Sequence, residues 1–177
     1  MKERLIEILK ERSVRTGTFT LASGKTSDLY VDARQTTLSP EGSTVIAKMI
    51  LERLKPNVVG VGGPVTGADP MTGSIITHSF LQGKNLHGFM VRKEPKGHGA
   101  GNQVEGRFGL PDGSKVCMLE DTVTTGGSLL KAIHAVEAAG LEVVQIICVV
   151  DRSEGAIERF AEAGYTLEAL ATRADII

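Results

Sequence analysis

The chain has 177 residues, 41% of them apolar, which suits one globular domain with a sizeable core. A formal net charge of −1 leaves no basic excess for nucleic acid or an anionic membrane surface, and 4% aromatics without Trp supply few stacking platforms for single strands. The two cysteines, Cys117 and Cys148, each lie in an apolar run, so buried free thiols in a reducing compartment are expected, not a disulfide or a metal site.

The opening MKERLIEILKER has Leu5, Ile6, Ile8 and Leu9 at helical spacing and predicts an amphipathic helix from residue 2 to about 11. Its charges interrupt the apolar core that a secretory peptide needs, and VVQIICVV is too short to span a bilayer, so a cytoplasmic protein is expected. TFTL and LYVDAR, separated by ASGKTSD, read as a strand pair. Ser39 and Pro40 supply an N-cap and first-turn proline for a helix with Ile46, Met49, Ile50 and Leu54 on one face. Then NVVGVGG, LHGFMVR, KVCMLED and EVVQIICVVD read as strands, alternating with helices in ADPMTGSIITHSFLQG, GSLLKAIHAVEAAG and SEGAIERFAEAG. Two of those helices stop at Gly140 and Gly164, where a left-handed residue is favoured. The alternation predicts an α/β fold with a mostly parallel sheet covered by helices on both faces.

One segment breaks this rhythm. Residues 93–114, KEPKGHGAGNQVEGRFGLPDGS, carry six glycines and two prolines, a loop long enough to need a reason such as a lid or a binding role.

Ligands of open α/β sheets sit beyond the carboxyl ends of the strands, so the residues after each apolar run matter most. After VVGV come Gly62 to Gly67, after FMV Arg92 and Lys93, after VCML Glu120 and Asp121, and after the last strand Asp151 and Arg152. In VCMLEDTVTTGGSLL, Thr124 to Ser128 open a helix whose core face is Leu129, Ile133 and Val136. Backbone N–H groups and the positive helix end there form an anion cradle, which Gly126 and Gly127 let a phosphate approach closely. No Lys follows the glycines, which excludes a nucleoside-triphosphate P-loop. An ordinary helix start would also use Thr and Ser. Two adjacent carboxylates before it would repel a phosphate unless they serve sugar hydroxyls or a bound cation such as Mg²⁺.

VCMLEDTVTTGGS resembles the phosphoribosyl pyrophosphate signature of type I phosphoribosyltransferases, and VRKEPKGHGAGNQVEG is similar to the catalytic loop of the orotate phosphoribosyltransferase family. FTLASGKTSDLYVDAR and VVDRSEG fit the same family, so the resemblance covers nearly the whole chain. It implies the type I fold in one domain over 1–177, with a small hood built from roughly residues 1–38 and the C-terminal segment. It also implies transfer of ribose 5-phosphate from 5-phosphoribosyl 1-pyrophosphate to N1 of orotate, with release of pyrophosphate, in pyrimidine (UMP) biosynthesis. Mg²⁺ would ride on the donor, through water to Asp121, with no direct protein ligand expected, and the enzyme would be a homodimer with shared sites.

By the same resemblance, Glu120 and Asp121 bind the ribose hydroxyls, and Thr124, Thr125, Gly126, Gly127 and Ser128 the 5'-phosphate. Arg92, Lys93, Lys96 and His98 match the catalytic-loop cations that contact pyrophosphate, often from the neighbouring subunit. A solvated surface loop is the plain reading of those charges, and His98 could donate to the leaving group or cap a turn. Arg152, ahead of a Ser153 cap, suits the orotate carboxylate, against a salt bridge to Asp151 or Glu154. Thr124, Tyr30 and Lys25 complete the expected orotate side, with packing as the alternative for Tyr30. His134 shares an outward helix face with Lys131, and His78 and His87 lack chemical neighbours, so all three read as structural or solvated.

Two departures stand out. Ala22 replaces a Lys that some members carry before the hood Ser-Gly, and GPVTGADP lacks the basic residue that some have after GVGG. Pyrophosphate would then lean on backbone N–H groups near Thr66 and Gly67. Two alternatives compete: a transferase for another base, which the loop cations disfavour, and a regulator binding nucleic acid, which the net charge disfavours.

Overall fold

The computed structural model describes residues 1–20, 26–95 and 102–177. A helix, α1 (Lys2–Arg12), leads into an antiparallel hairpin of β1 (Val14–Thr20) and β2 (Thr26–Val31), in which Arg15 faces Tyr30. A short helix, α2 (Arg34–Thr37), absent from the sequence reading, turns the chain into α3 (Pro40–Arg53). The Ser39 cap forms as expected: its hydroxyl accepts from the Gly42 N–H at 3.1 Å and donates to the Thr36 carbonyl at 2.9 Å.

The main sheet holds β3 (Gly60–Pro64), β4 (His87–Val91), β5 (Val104–Glu105), β6 (Lys115–Val123), β7 (Glu142–Asp151) and β8 (Glu168–Thr172), in the order β5-β4-β3-β6-β7-β8. All pairings are parallel except β4 with β5. The helices between strands are α4 (Asp69–Leu81), α5 (Gly127–Ala138) and α6 (Ala156–Glu162), and α7 (Arg173–Ile176) closes the chain. Gly140 and Gly164 follow α5 and α6 at φ 89° and 83°, the left-handed endings expected there.

Strand side chains alternate between two cores, as the two-residue period demands. Val61, Cys117, Leu119, Ile147 and Val149 face α1, α3 and α4, whereas Phe89, Val116, Met118, Ile146 and Cys148 face α5 and α6. Both cysteines are buried and free, and burial raises their thiol pKa. Strands apolar on both faces must be covered on both, which is why β6 is apolar from Val116 to Leu119 and β7 from Ile146 to Val150.

The C-terminal residues hold more structure than the sequence signals predicted, because β8 is short and sits at the sheet edge. α7 packs on α1: Leu5, Leu9 and Ile176 share one core, and Lys2 pairs with Asp175 at 3.3 Å. Both ends of the chain therefore meet beside the hairpin.

Candidate active site

The strand order reverses between β3 and β6. β3 continues through α4 on one face to β4, and β6 continues through α5 on the other face to β7. Diverging connections of this kind open a crevice at the strand ends. A cleft of about 370 Å³ lies there, lined by the segment 31–34, Thr66 and Gly67, and a continuous stretch from Glu120 to Leu129. Glu120 and Asp121 lie within β6, as the strand reading of KVCMLED has it, and the strand runs two residues further, pairing in register as far as Val123 with Asp151. Gly62 and Gly63 likewise lie inside β3, as NVVGVGG predicts.

Glu120 and Asp121 are crowded and half-buried. Burial and the adjacent Asp121 charge push the Glu120 carboxyl up to about 8, and burial also raises Asp121. Some of the crowding is relieved locally, since Asp121 N–H donates to Glu120 Oε1 at 3.2 Å and Thr122 N–H to Asp121 Oδ1 at 2.6 Å. A third acid, Asp69 in the first turn of α4, adds to the repulsion on Glu120, and its Oδ1 is buried with no hydrogen-bond partner among the described residues. Such a group of acids is suited to meet hydroxyl donors or a cation.

Thr124, Thr125, Gly126, Gly127 and Ser128 all line the cleft, ahead of the buried Leu129, Ile133 and Val136 of α5. Gly126 is the N-cap, in the left-handed region at φ 77°, and a Cβ there would come within 2.5 Å of the Phe160 ring. No side chain caps α5, so its first N–H groups remain available to an anion. A Cβ on Gly127 would lie 3.0 Å from Arg159 Nη1, which brings a cation from α6 beside the cradle.

Thr66 and Gly67 reach the cleft from the other side, after a cis peptide between Val65 and Thr66. Arg92 and Lys93 do not line it: both are exposed at the end of β4, and Arg92 pairs with Glu105 at 3.2 Å. Lys96, His98 and Lys25 lie outside the described residues, as does Ala22. Arg152 is buried at the end of β7, where it forms the salt bridge to Glu154 at 3.1 Å that the sequence ranked second. It also donates to the Leu29 carbonyl of the hairpin at 3.5 Å. Ser153 does not cap α6. It has φ 55°, and Gly155 at φ 91° is the N-cap, which leaves the chain free to swing Arg152 under the hairpin. Tyr30 is 41% exposed, with its ring 5.5 Å from that of Phe19. His134 is exposed, and His78 Nδ1 lies 2.9 Å from the Ser74 carbonyl.

Sequence reasoning missed Asp32, Arg34, Asp69 and Arg159. The signal in Asp32 and Arg34 was present, since they flank Ala33 directly after a strand, but an unrecognised turn of helix carries them to the cleft. Asp69 looked like an ordinary first-turn acid.

Acids at the end of a central strand, a phosphate cradle on the next helix and a glycine loop facing them define a phosphoribosyl transferase domain. The model of the family described as "Phosphoribosyl transferase domain" matches residues 40–163. The orotate phosphoribosyltransferase of Rhodopirellula baltica is 44% identical, over 97% of this chain and 91% of that protein. Among solved structures, Mycobacterium tuberculosis orotate phosphoribosyltransferase with Fe(III) dicitrate superposes with a TM-score of 0.85 at 36% identity, covering 99% of this chain and 98% of that one. The same enzyme in complex with 5-phospho-α-D-ribosyl 1-diphosphate gives a TM-score of 0.81 at 33% identity, again over 99% and 98% of the two chains. The chain belongs to the orotate phosphoribosyltransferase family.

Proposed function

We propose that this chain transfers ribose 5-phosphate from 5-phosphoribosyl 1-pyrophosphate to N1 of orotate, forming orotidine 5'-monophosphate and pyrophosphate. The single observation that carries this reading is the placement of two half-buried acids and an uncapped helix start on one continuous stretch, Glu120 to Ser128, along a cleft. The phosphate end of the donor docks on the N–H groups at Thr124 to Ser128, and Glu120 and Asp121 accept from the ribose hydroxyls. Those contacts set the C1' carbon between the diphosphate and the incoming base, so that much of the barrier is met by positioning. Positive charge grows at C1' as the bond to pyrophosphate breaks, and the acid oxygens facing it stabilise that charge.

Mg²⁺ fits this set of hard oxygen donors, and among the described residues no group of three or more His, Cys, Asp or Glu could hold a metal ion by itself. In this reading the cation is carried by the diphosphate and reaches Asp121 through water. When bound it neutralises charge on the leaving group. Arg92, Lys93, Lys96 and His98 act as the loop cations on pyrophosphate, supplied across a homodimer. Arg152 meets the orotate carboxylate with Thr124, Tyr30 and Lys25 nearby. The enzyme works in the cytoplasm, in keeping with the described residues having no helix long and apolar enough to cross a membrane.

The test is to mix the protein with Mg²⁺, the phosphoribosyl donor and each of orotate, uracil, adenine and hypoxanthine, and to follow base consumption. Loss of orotate alone is expected. Turnover of another base with none of orotate would overturn the assignment.

A further inference from the structure

The cleft carries too much negative charge for its ligand. Asp32, Glu120 and Asp121 line it, and among the described lining residues Arg34 is the one cation. A phosphorylated diphosphate substrate brings several more negative charges. The loop after β3, Gly-Pro-Val-Thr-Gly, which faces the same acids, offers no basic side chain.

Arg34 is held in a particular way. Asp32 Oδ1 accepts from its Nε at 2.9 Å and from its backbone N–H at 3.3 Å, and Gln35 Nε2 steadies the second Asp32 oxygen at 3.2 Å. The anchoring therefore uses Nε. The two terminal nitrogens, the edge best shaped for a bidentate grip on phosphate or carboxylate oxygens, donate to no partner among the described residues. The Arg34 side chain is 51% exposed and feels the charge of Asp121, so the guanidinium lies within reach of the acids of the cleft. The other two anionic parts of the reaction already have candidate partners, since the start of α5 offers N–H groups to the 5'-phosphate and Arg152 suits orotate.

We propose that Arg34 is a substrate-binding residue for the diphosphate, oriented by Asp32, and that it supplies the cation missing from the loop at Thr66 and Gly67. The inference rests on the transferase reading above. Removing the charge loses at least one charge-assisted hydrogen bond, so a change of about tenfold or more is expected in the constants that involve the diphosphate.

The experiment compares wild type with Arg34→Met and Arg34→Lys, with Arg34→Gln in place of the methionine variant should that fail to fold. It measures binding of inorganic pyrophosphate with Mg²⁺ by calorimetry, KM for the donor and for orotate, and the melting temperature. Expected are at least about tenfold weaker pyrophosphate binding and higher donor KM in Arg34→Met, an orotate KM within about twofold of wild type, unchanged melting, and partial recovery in Arg34→Lys. Unchanged pyrophosphate affinity in Arg34→Met would overturn the proposal. So would a larger rise in orotate KM than in donor KM, which would assign Arg34 to the base, or losses that follow a fall in melting temperature, which would make it structural. Wild type that binds pyrophosphate through Arg34 yet leaves orotate unconverted would sink the transferase assignment and leave this inference standing.

Discussion

Gly67 backs directly onto Glu120. A Cβ at position 67 would fall 2.6 Å from Glu120 Oε1 and 2.7 Å from Asp121 Oδ1, so the loop after β3 and the acids of β6 fit together only because residue 67 has no side chain. Gly67→Ala should push the carboxylates out of line with the ribose. Misplacement of about 1 Å at a reacting centre costs on the order of 10²-fold, so kcat/KM should fall by about that factor. Steady-state kinetics and a thermal melt check this, and a variant with wild-type kcat/KM would show that the acids tolerate displacement.

Protonation of the acid pair links stability to pH. The Glu120 carboxyl is held at about 8 in the fold, above its ordinary value of 4.5, so between those limits the native state binds a proton that the unfolded chain has released. Stability should therefore be greatest at the acid side of that window as far as this group is concerned, and should decline as pH rises through it. Glu120→Gln, which cannot ionise, should flatten that decline and be more stable than wild type at pH about 8, while losing most of its activity. Denaturant midpoints across the window decide it. Parallel pH profiles for the two proteins would refute the assignment.

Lys96→Ala should lower kcat by about 10²-fold or more with little change in melting temperature, because a loop cation that grips a leaving group stabilises the transition state and not the core. Mixing this variant with Asp121→Asn tests the shared site: a mixed dimer pairs one intact loop with one intact acid pair, and partial activity should return. A proven mixed dimer that stays inactive would mean each site is built from one chain.

Arg152→Ala should raise the orotate KM more than the donor KM, since a planar guanidinium is matched to a carboxylate. It also leaves Glu154 without its partner and removes the link to the Leu29 carbonyl. Arg152→Lys should retain the charge but not the fork, and should fall between the two. Equal rises in both KM values would place Arg152 in hood support alone.

Much of the fold was legible because its signals are local. The period of apolar residues marked α1, α3, α5 and the buried strands, the Ser39 cap and the glycines at 140 and 164 marked helix ends, and the run from Glu120 to Ser128 marked the site. Elements whose stability comes from neighbours were harder. α2 has 4 residues and β5 has 2, too few for any period to show, and β8 is a strand because β7 offers it a parallel edge. The bridge from Arg152 to Glu154 was legible as one alternative, but the left-handed φ of 55° at Ser153 between them was not.

The order of residue types along the chain was enough to determine a covered parallel sheet, a phosphate cradle after two acids, and the resemblance that named the reaction, since propensity, capping and periodicity act over a few neighbouring residues. Only the tertiary structure decided that the strand order reverses between β3 and β6, that Gly67 sits against Glu120, and that Asp32 and Arg34 reach the same cleft as Asp121. Those relationships join residues far apart in the chain. They depend on which faces the helices cover and how the strands pair, and no local pattern encodes that.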